Sequence, residues 1–265
     1  MSQAASGLPN VVNTVHQTQP VVIHSPGRPK DQHPIFKPIC DEVFGIPEAS
    51  RPWFGCPTDL TILTWSSEPA GGKKQLLEKC LDWLGVPCTV LRTNREWRNW
   101  FKIPLTAQAL PEVDTRYVMG MDSTDVVMVG SPVVALERFK RRQRQDQQPA
   151  CKLLFAAERN HYPRSRELRQ ATARERESAE IAGEMPFCHL NTGGFIAETH
   201  AAMKWFREAW SRPRAKRVPS SDQGVWRQFY RERESNGEVA IDRRCEIFQN
   251  VTHYDPPDVV EVLRR

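Results

Sequence analysis

Between Leu60 and Leu91 the chain commits itself to a sheet with helices packed on it. Leu60-Thr61-Ile62-Leu63-Thr64-Trp65 is an apolar, β-branched run that stops at Ser66-Ser67, the pattern of a strand. Gly71 and Gly72 open a helix that sets Leu76, Leu77, Cys80, Leu81 and Leu84 on one face, and Gly85 closes it. Cys88-Thr89-Val90-Leu91 is the next strand. Strand, crossover helix and strand make parallel neighbours, so the expected class is α/β, with one mostly parallel sheet flanked by helices.

The rest of the chain continues that alternation. A helix is expected from Trp97 through Trp100, Phe101 and Leu105 to Leu110, started or kinked by Pro104. Tyr117 to Met121 reads as a strand, and Pro132 begins a helix that includes Phe139. Gln143 to Pro149 is a polar linker, and Lys152 to Ala157 is a strand ending at Glu158. Residues 164–182 form a charged helical insert, expected to be peripheral because it shows little apolar face. A helix over Ala201 to Trp210 points Ala202, Phe206 and Trp210 inward. Asp222-Gln223 starts another, capped by Ser221 or Asp222. Val239-Ala240-Ile241 and Glu246-Ile247-Phe248 alternate as strands. Residues 1–56 are proline-rich with poor periodicity, and read as an irregular arm with one short strand at Val21-Val22-Ile23. Trp53 and Phe54 would pin its end to the core. The remaining 57–265 form one domain.

Composition excludes several classes. A chain of 265 residues can bury a full core. No apolar run approaches the ~20 residues of a membrane helix, and the N-terminus lacks a basic segment followed by an apolar one. Seven scattered cysteines without a Cys-x-x-Cys pair argue against a disulfide framework and a structural zinc site, so a reduced cytoplasmic protein is expected. The net charge of +5 draws on a run of Arg138, Lys140, Arg141, Arg142 and Arg144, and on residues 164–176, where glutamates break the arginines. Neither run carries stacking aromatics, so nucleic acid is not expected as a partner. Anionic substrates fit the basic balance.

The chemistry concentrates where the strand from Tyr117 ends. Asp122-Ser123-Thr124-Asp125 turns there before a second apolar run, Val126 to Val129. Ligands of open α/β sheets sit beyond the carboxyl ends of strands. Two carboxylates at that place can converge on Mg²⁺ or Mn²⁺ shared with a substrate phosphate. The alternative is an Asx-turn in which Asp122 caps backbone N–H groups. Thr64-Trp65-Ser66 occupies the equivalent place on the first strand, where hydroxyls can bond a nucleoside or cap the next helix. In Asn191-Thr192-Gly193-Gly194 the glycines admit a closely approaching ligand and the amide suits sugar hydroxyls, or the stretch is a tight turn. Asp222 is a helix cap or an acid/base group. Lys102 could neutralise phosphate, and His253 could ligate a metal.

Taken in order, these stretches resemble the glycosyltransferase domain of the procollagen-lysine hydroxylases, a GT-A type, Rossmann-like fold. The resemblance runs over residues 59–251 through Leu63-Thr64-Trp65-Ser66, Glu96-Trp97-Arg98, Lys102, Asp122 to Val127, Gly130-Ser131-Pro132, Phe155 to Glu158, Leu190 to Ile196, Asp222-Gln223 and Ile241 to Gln249. It implies transfer of a sugar, glucose or galactose, from a UDP-sugar to an acceptor hydroxyl with Mn²⁺ or Mg²⁺. Asp122 and Asp125 would hold the cation, and Lys102 would steady the leaving diphosphate. Thr64, Trp65, Ser66, Ser123 and Thr124 would line the nucleotide, and Asn191, Gly193 and Gly194 the sugar. Asp222 and Gln223 would serve the sugar or acceptor side. Three departures stand out: Thr124 replaces an aromatic, Asp222 stands without neighbouring acids, and a downstream His-Gly-Asn-Gly segment is missing. That leaves three options for the third ligand: His253 as substitute, a shortened chain, or an incomplete metal site. The rival readings are a degenerate nucleotide-sugar binder and a metal-dependent phosphohydrolase or nucleotidyltransferase.

Overall fold

The computed structural model describes residues 8–27, 33–145, 150–162, 166, 168–212, 221–233, 236–252, 255–256 and 258–263. The first crossover unit forms as the sequence requires. β3 (Leu60–Ser66) leads to α2 (Leu76–Trp83), which is closed at its start by a capping box between Gln75 and Glu78, and then to β4 (Thr89–Arg92). β5 (Tyr117–Met121), β7 (Leu153–Glu158), β8 (His189–Glu198) and β9 (Val239–Ile241) complete a six-stranded sheet in the order β4-β3-β5-β8-β7-β9. β3 pairs parallel to β4 and β5, and β7 parallel to β9, while β8 runs antiparallel to both its neighbours. The class is mixed α/β with a mostly parallel central sheet, flanked by α3 (Lys102–Ala109), α4 (Pro132–Gln145), α6 (Thr199–Ser211) and α7 (Asp222–Arg233).

Aromatic rings fill one face of this sheet. Phe155, Phe195, Phe206 and Trp226 pack with centroids 4.7 to 6.1 Å apart, a preferred range for tilted and edge-on pairs. Gly120 on β5 makes room for them, because a Cβ there would meet Phe195 at 2.3 Å and Trp65 at 2.9 Å. Among the described residues no helix is long and apolar enough to cross a membrane.

The first 56 residues depart from the expected arm. β1 (Asn10–Asn13) pairs antiparallel with β11 (Val260–Leu263). β2 (Val22–His24) lies between β10 (Phe248–Asn250) and β6 (Val126–Met128) as the middle of a second, three-stranded sheet. α1 (Phe36–Phe44) buries Phe36, Ile39 and Val43. Proline interrupts local periodicity here, but pairing with distant strands supplies the order. Phe54 packs on the core, whereas Trp53 lies across Gly85 and stays 76% exposed.

Other expectations shift for identifiable reasons. α4 extends to Gln145, so part of the polar linker is helix, and residues 146–149 fall outside the described set. Three residues of the basic run on α4 are used internally: Arg138 donates to the carbonyls of Gln19 and Glu246, Lys140 pairs with Asp59 and Arg141 with Glu246. Trp210 ends 40% exposed near the end of α6. Glu246 and Ile247 are no strand, because the Asp242 carboxylate accepts the N–H groups of residues 246, 247 and 248 in a closed turn. α5 (Arg169–Ala182) lies at the surface with little apolar face, as expected, yet one of its carboxylates, Glu175, is fully buried.

Candidate metal centre

Asp122 and Asp125 leave the sheet together between β5 and β6, and β2 delivers His24 beside them. The Nε2 of His24 lies 3.8 Å from Asp122 Oδ2 and 3.7 Å from Asp125 Oδ1. One ligand atom from each of the three lies within 4.8 Å of the others, and among the described residues this is the one such group of metal-ligating side chains. A cation held at about 2.1 Å from each ligand fits such a triangle, whereas direct hydrogen bonds would need shorter contacts. His24 carries a further sign of the role. Its Nδ1 lies 2.6 Å from Asn250 Oδ1, which can only accept, so Nδ1 is the protonated nitrogen. Nε2 is buried without a hydrogen-bond partner and aims at the two carboxylates. A ring nitrogen fixed through its other N–H is the usual arrangement of a ligating histidine. Asn250 is itself tied to the Ala157 carbonyl. Burial opposes a charge on His24, but Asp125 and Asp122 outweigh it and raise its pKa.

The glycine pair makes this placement possible. Residues 191–194 are not a tight turn but the middle of β8, where the pairing with β7 jumps from Phe155–Phe195 to Ala156–Asn191. The chain bulges out over residues 192–194, and the Gly193 carbonyl takes the Asp122 N–H at 2.9 Å. A Cβ on Gly193 would stand 2.0 Å from His24 Cε1, so only glycine lets the imidazole lie against the bulge. A Cβ on Gly194 would strike Phe248 at 2.6 Å, and that glycine serves packing instead of the cleft.

His24, Asp122 and Asp125 line a cleft of about 1150 Å³ with Lys102, Asp222, Glu158 and Gln223. Lys102 Nζ lies 2.5 Å from Asp122 Oδ1 and 3.6 Å from Asp222 Oδ2, with the Trp65 ring 5.5 Å from the ammonium. Burial disfavours its charge, yet Asp122 and Asp222 prevail, and its pKa rises. Asp122 therefore offers one oxygen to the lysine and keeps the other toward His24. Asp222 is not the helix cap: the Gly224 N–H goes to Ser221 Oγ. Burial raises the Asp222 pKa, with Lys102 pulling the other way. Burial also pushes the Glu158 carboxyl up to about 7, against hydrogen bonds from Gln223 and Asn191.

The cleft gathers most of the residues expected from the sequence: Trp65, Ser66, Lys102, Asp122, Ser123, Thr124, Asp125, Asn191, Gly193, Asp222 and Gln223. Thr64 is not among them. It is buried and donates to the Met121 carbonyl at 2.8 Å, because its side chain faces into the layers of the sheet. Trp65 has its indole N–H turned inward to Thr106, so it supports Lys102 from below. His253 lies outside the described residues. His24 was missed, although it directly follows Val21-Val22-Ile23, a run legible as a strand. Glu158 was visible as the end of its strand but carried no expected role. The sequence matches no protein-family model and no curated protein.

Proposed function

We propose that this protein is a metal-dependent glycosyltransferase with a GT-A type, Rossmann-like architecture. It would move a sugar, glucose or galactose first among the candidates, from a UDP-sugar to an acceptor hydroxyl. The observation that carries the reading is the His24–Asp122–Asp125 group set beside a buried, charged lysine in one cleft. His24, Asp122 and Asp125 would hold Mn²⁺ or Mg²⁺, which supplies Lewis-acid stabilisation of charge on the departing diphosphate. The donor set fits: two carboxylates suit a hard cation, and the orphaned imidazole nitrogen completes one face.

The chain's own groups do the rest. Lys102 holds a fixed positive charge in a water-poor site, where it counts for more than on the surface. Ser66, Ser123 and Thr124 would offer hydroxyls to the nucleotide, and Asn191 and Gly193, joined by a 2.7 Å bond from the Gly193 N–H to Asn191 Oδ1, would line the sugar. Asp222 and Glu158 are the carboxyls placed to take the acceptor's proton, and Gln223 orients Glu158 through a 2.6 Å hydrogen bond. The acceptor would be a hydroxyl compound and not a nucleic acid, and three residues of the basic run on α4 are engaged in intramolecular contacts. A reducing, cytoplasmic setting belongs to this reading, with all seven cysteines as free thiols.

Calorimetric titration of UDP in Mn²⁺ and in EDTA tests it. Binding in manganese alone is expected; equal affinity in both, or none in either, ends the reading. One observation favours a second reading on the same fold, a nucleotide-sugar binder without turnover. Lys102 already neutralises Asp122, and Thr124 leaves no aromatic between the two aspartates. Its signature is manganese-dependent UDP binding with no sugar released from UDP-glucose or UDP-galactose.

A further inference from the structure

Helix α5 docks on the molecule in an unusual way. Its buried positions are Ala171, Glu175 and Ala179, one stripe at helical spacing with a carboxylate at its centre. Ala171 packs with Leu168 in a small cluster separate from the main core. Little apolar area holds the helix down, so Glu175 decides where it sits.

Glu175 and Arg227 are both fully buried. The guanidinium grips the carboxylate with two bonds, Nε to Oε1 at 2.8 Å and Nη2 to Oε2 at 2.6 Å. Nη2 also reaches Thr172 Oγ1 at 2.7 Å. Oε2 of Glu175 further meets His189 Nδ1 at 2.7 Å. Each element so joined carries cleft residues a short step away. Arg227 lies one turn beyond Gln223 on α7, and both donate to the Tyr162 carbonyl, at 3.3 and 2.8 Å. Gln223 in turn holds Glu158. His189 opens β8, whose Asn191 and Gly193 line the cleft. A buried ion pair is seldom more stabilising than an apolar pair of the same volume, so holding α5 in place does not by itself call for one. What the fork geometry adds over an apolar contact is a fixed direction and distance.

We propose that Glu175 and Arg227 are positioning residues of the cleft: through this pair α5 fixes Gln223, Glu158 and the Tyr162 carbonyl on the acceptor side. The proposal rests on the transferase reading, and it assigns the charged insert a part in the reaction without any contact with substrate. The cation-side groups His24, Asp122, Asp125 and Lys102 make no direct contact with the pair.

The test replaces the pair by apolar residues, Glu175→Met with Arg227→Met, which keeps the volume and removes both charges together. The double variant is expected to fold and to bind Mn²⁺–UDP within about twofold of the parent, because the cation-side groups do not touch the pair. Its kcat for sugar transfer or UDP-sugar hydrolysis is expected to fall about 10²-fold, the cost of ångström-scale misplacement. A purely structural pair would leave kcat unchanged, and that result overturns the proposal. Loss of Mn²⁺–UDP binding in the parent protein marks failure of the transferase reading instead. Where the parent binds UDP without turnover, amide exchange reads the same displacement. Faster exchange over residues 191–193 and 222–224 with β3 unchanged supports the proposal, and unchanged exchange overturns it. Should the double variant not fold, Glu175→Gln removes the charge with minimal change of shape, and the same two readouts decide.

Discussion

Replacing Glu158 by glutamine isolates the electrostatics of the cleft floor. The carboxyl is 4% exposed, and burial lifts it from an ordinary 4.5 to about 7. An acid with a raised folded-state pKa binds its proton more tightly in the native protein than in the unfolded chain. Its contribution is therefore present below pH 4.5 and is lost as pH rises through about 7. At about 1.4 kcal/mol per pH unit, a shift of this size corresponds to roughly 3 kcal/mol. Glutamine mimics the protonated acid and carries no charge, so Glu158→Gln removes the dependence. Urea unfolding followed by tryptophan fluorescence, at intervals from pH 4.5 to 8, should show the two proteins close in stability at the acid end. The variant should gain steadily to about 3 kcal/mol at the alkaline end. Comparing the two at each pH cancels the other titrating groups. A difference that stays flat across this range refutes the assignment of a buried, near-neutral acid.

Three further outcomes follow from the metal group. Asp125→Ala should abolish manganese-dependent UDP binding by calorimetry while circular dichroism and the melting temperature stay near those of the parent. Gly193→Ala places a Cβ 2.0 Å from the His24 ring, so it should weaken Mn²⁺ binding, read by electron paramagnetic resonance, by tenfold or more while retaining the fold. Asn250→Leu removes the group that orients His24; Mn²⁺ affinity should fall about 10- to 100-fold, and stability by about 1–3 kcal/mol from the unpaired buried imidazole N–H.

The first crossover unit and the Asp122 turn were legible because their signals are local: apolar periodicity, a glycine stop, carboxylates at a strand end. What escaped the sequence reading depends on partners far along the chain. His24 is one histidine after a short apolar run, and its meaning comes from Asn250, 226 positions away, and from two aspartates in the turn between β5 and β6. Glu175 sits among exposed charges, and only the fold turns that one inward to Arg227, 52 positions on. Thr64 was misread for a different reason. A strand buried on both faces leaves its hydroxyl to bond the neighbouring strand, and alternation alone does not say which end reaches the cleft. The Asn191–Gly194 stretch reads as a turn by composition, yet flanking strands on both sides pull it into a bulged strand.

β2 has a consequence for how the protein is made. Its three residues leave the ribosome before β10, the strand that holds them on one side and supplies Asn250, 226 positions after His24. Until then the His24 ring lacks the Asn250 acceptor that fixes its tautomer, although pairing of β2 with β6 sets it beside the carboxylates. The His24–Asp122–Asp125 group therefore has its imidazole oriented only after translation has passed Asn250. A ribosome-stalled chain lacking β10 would carry both aspartates and the histidine without the Asn250 acceptor that orients its ring.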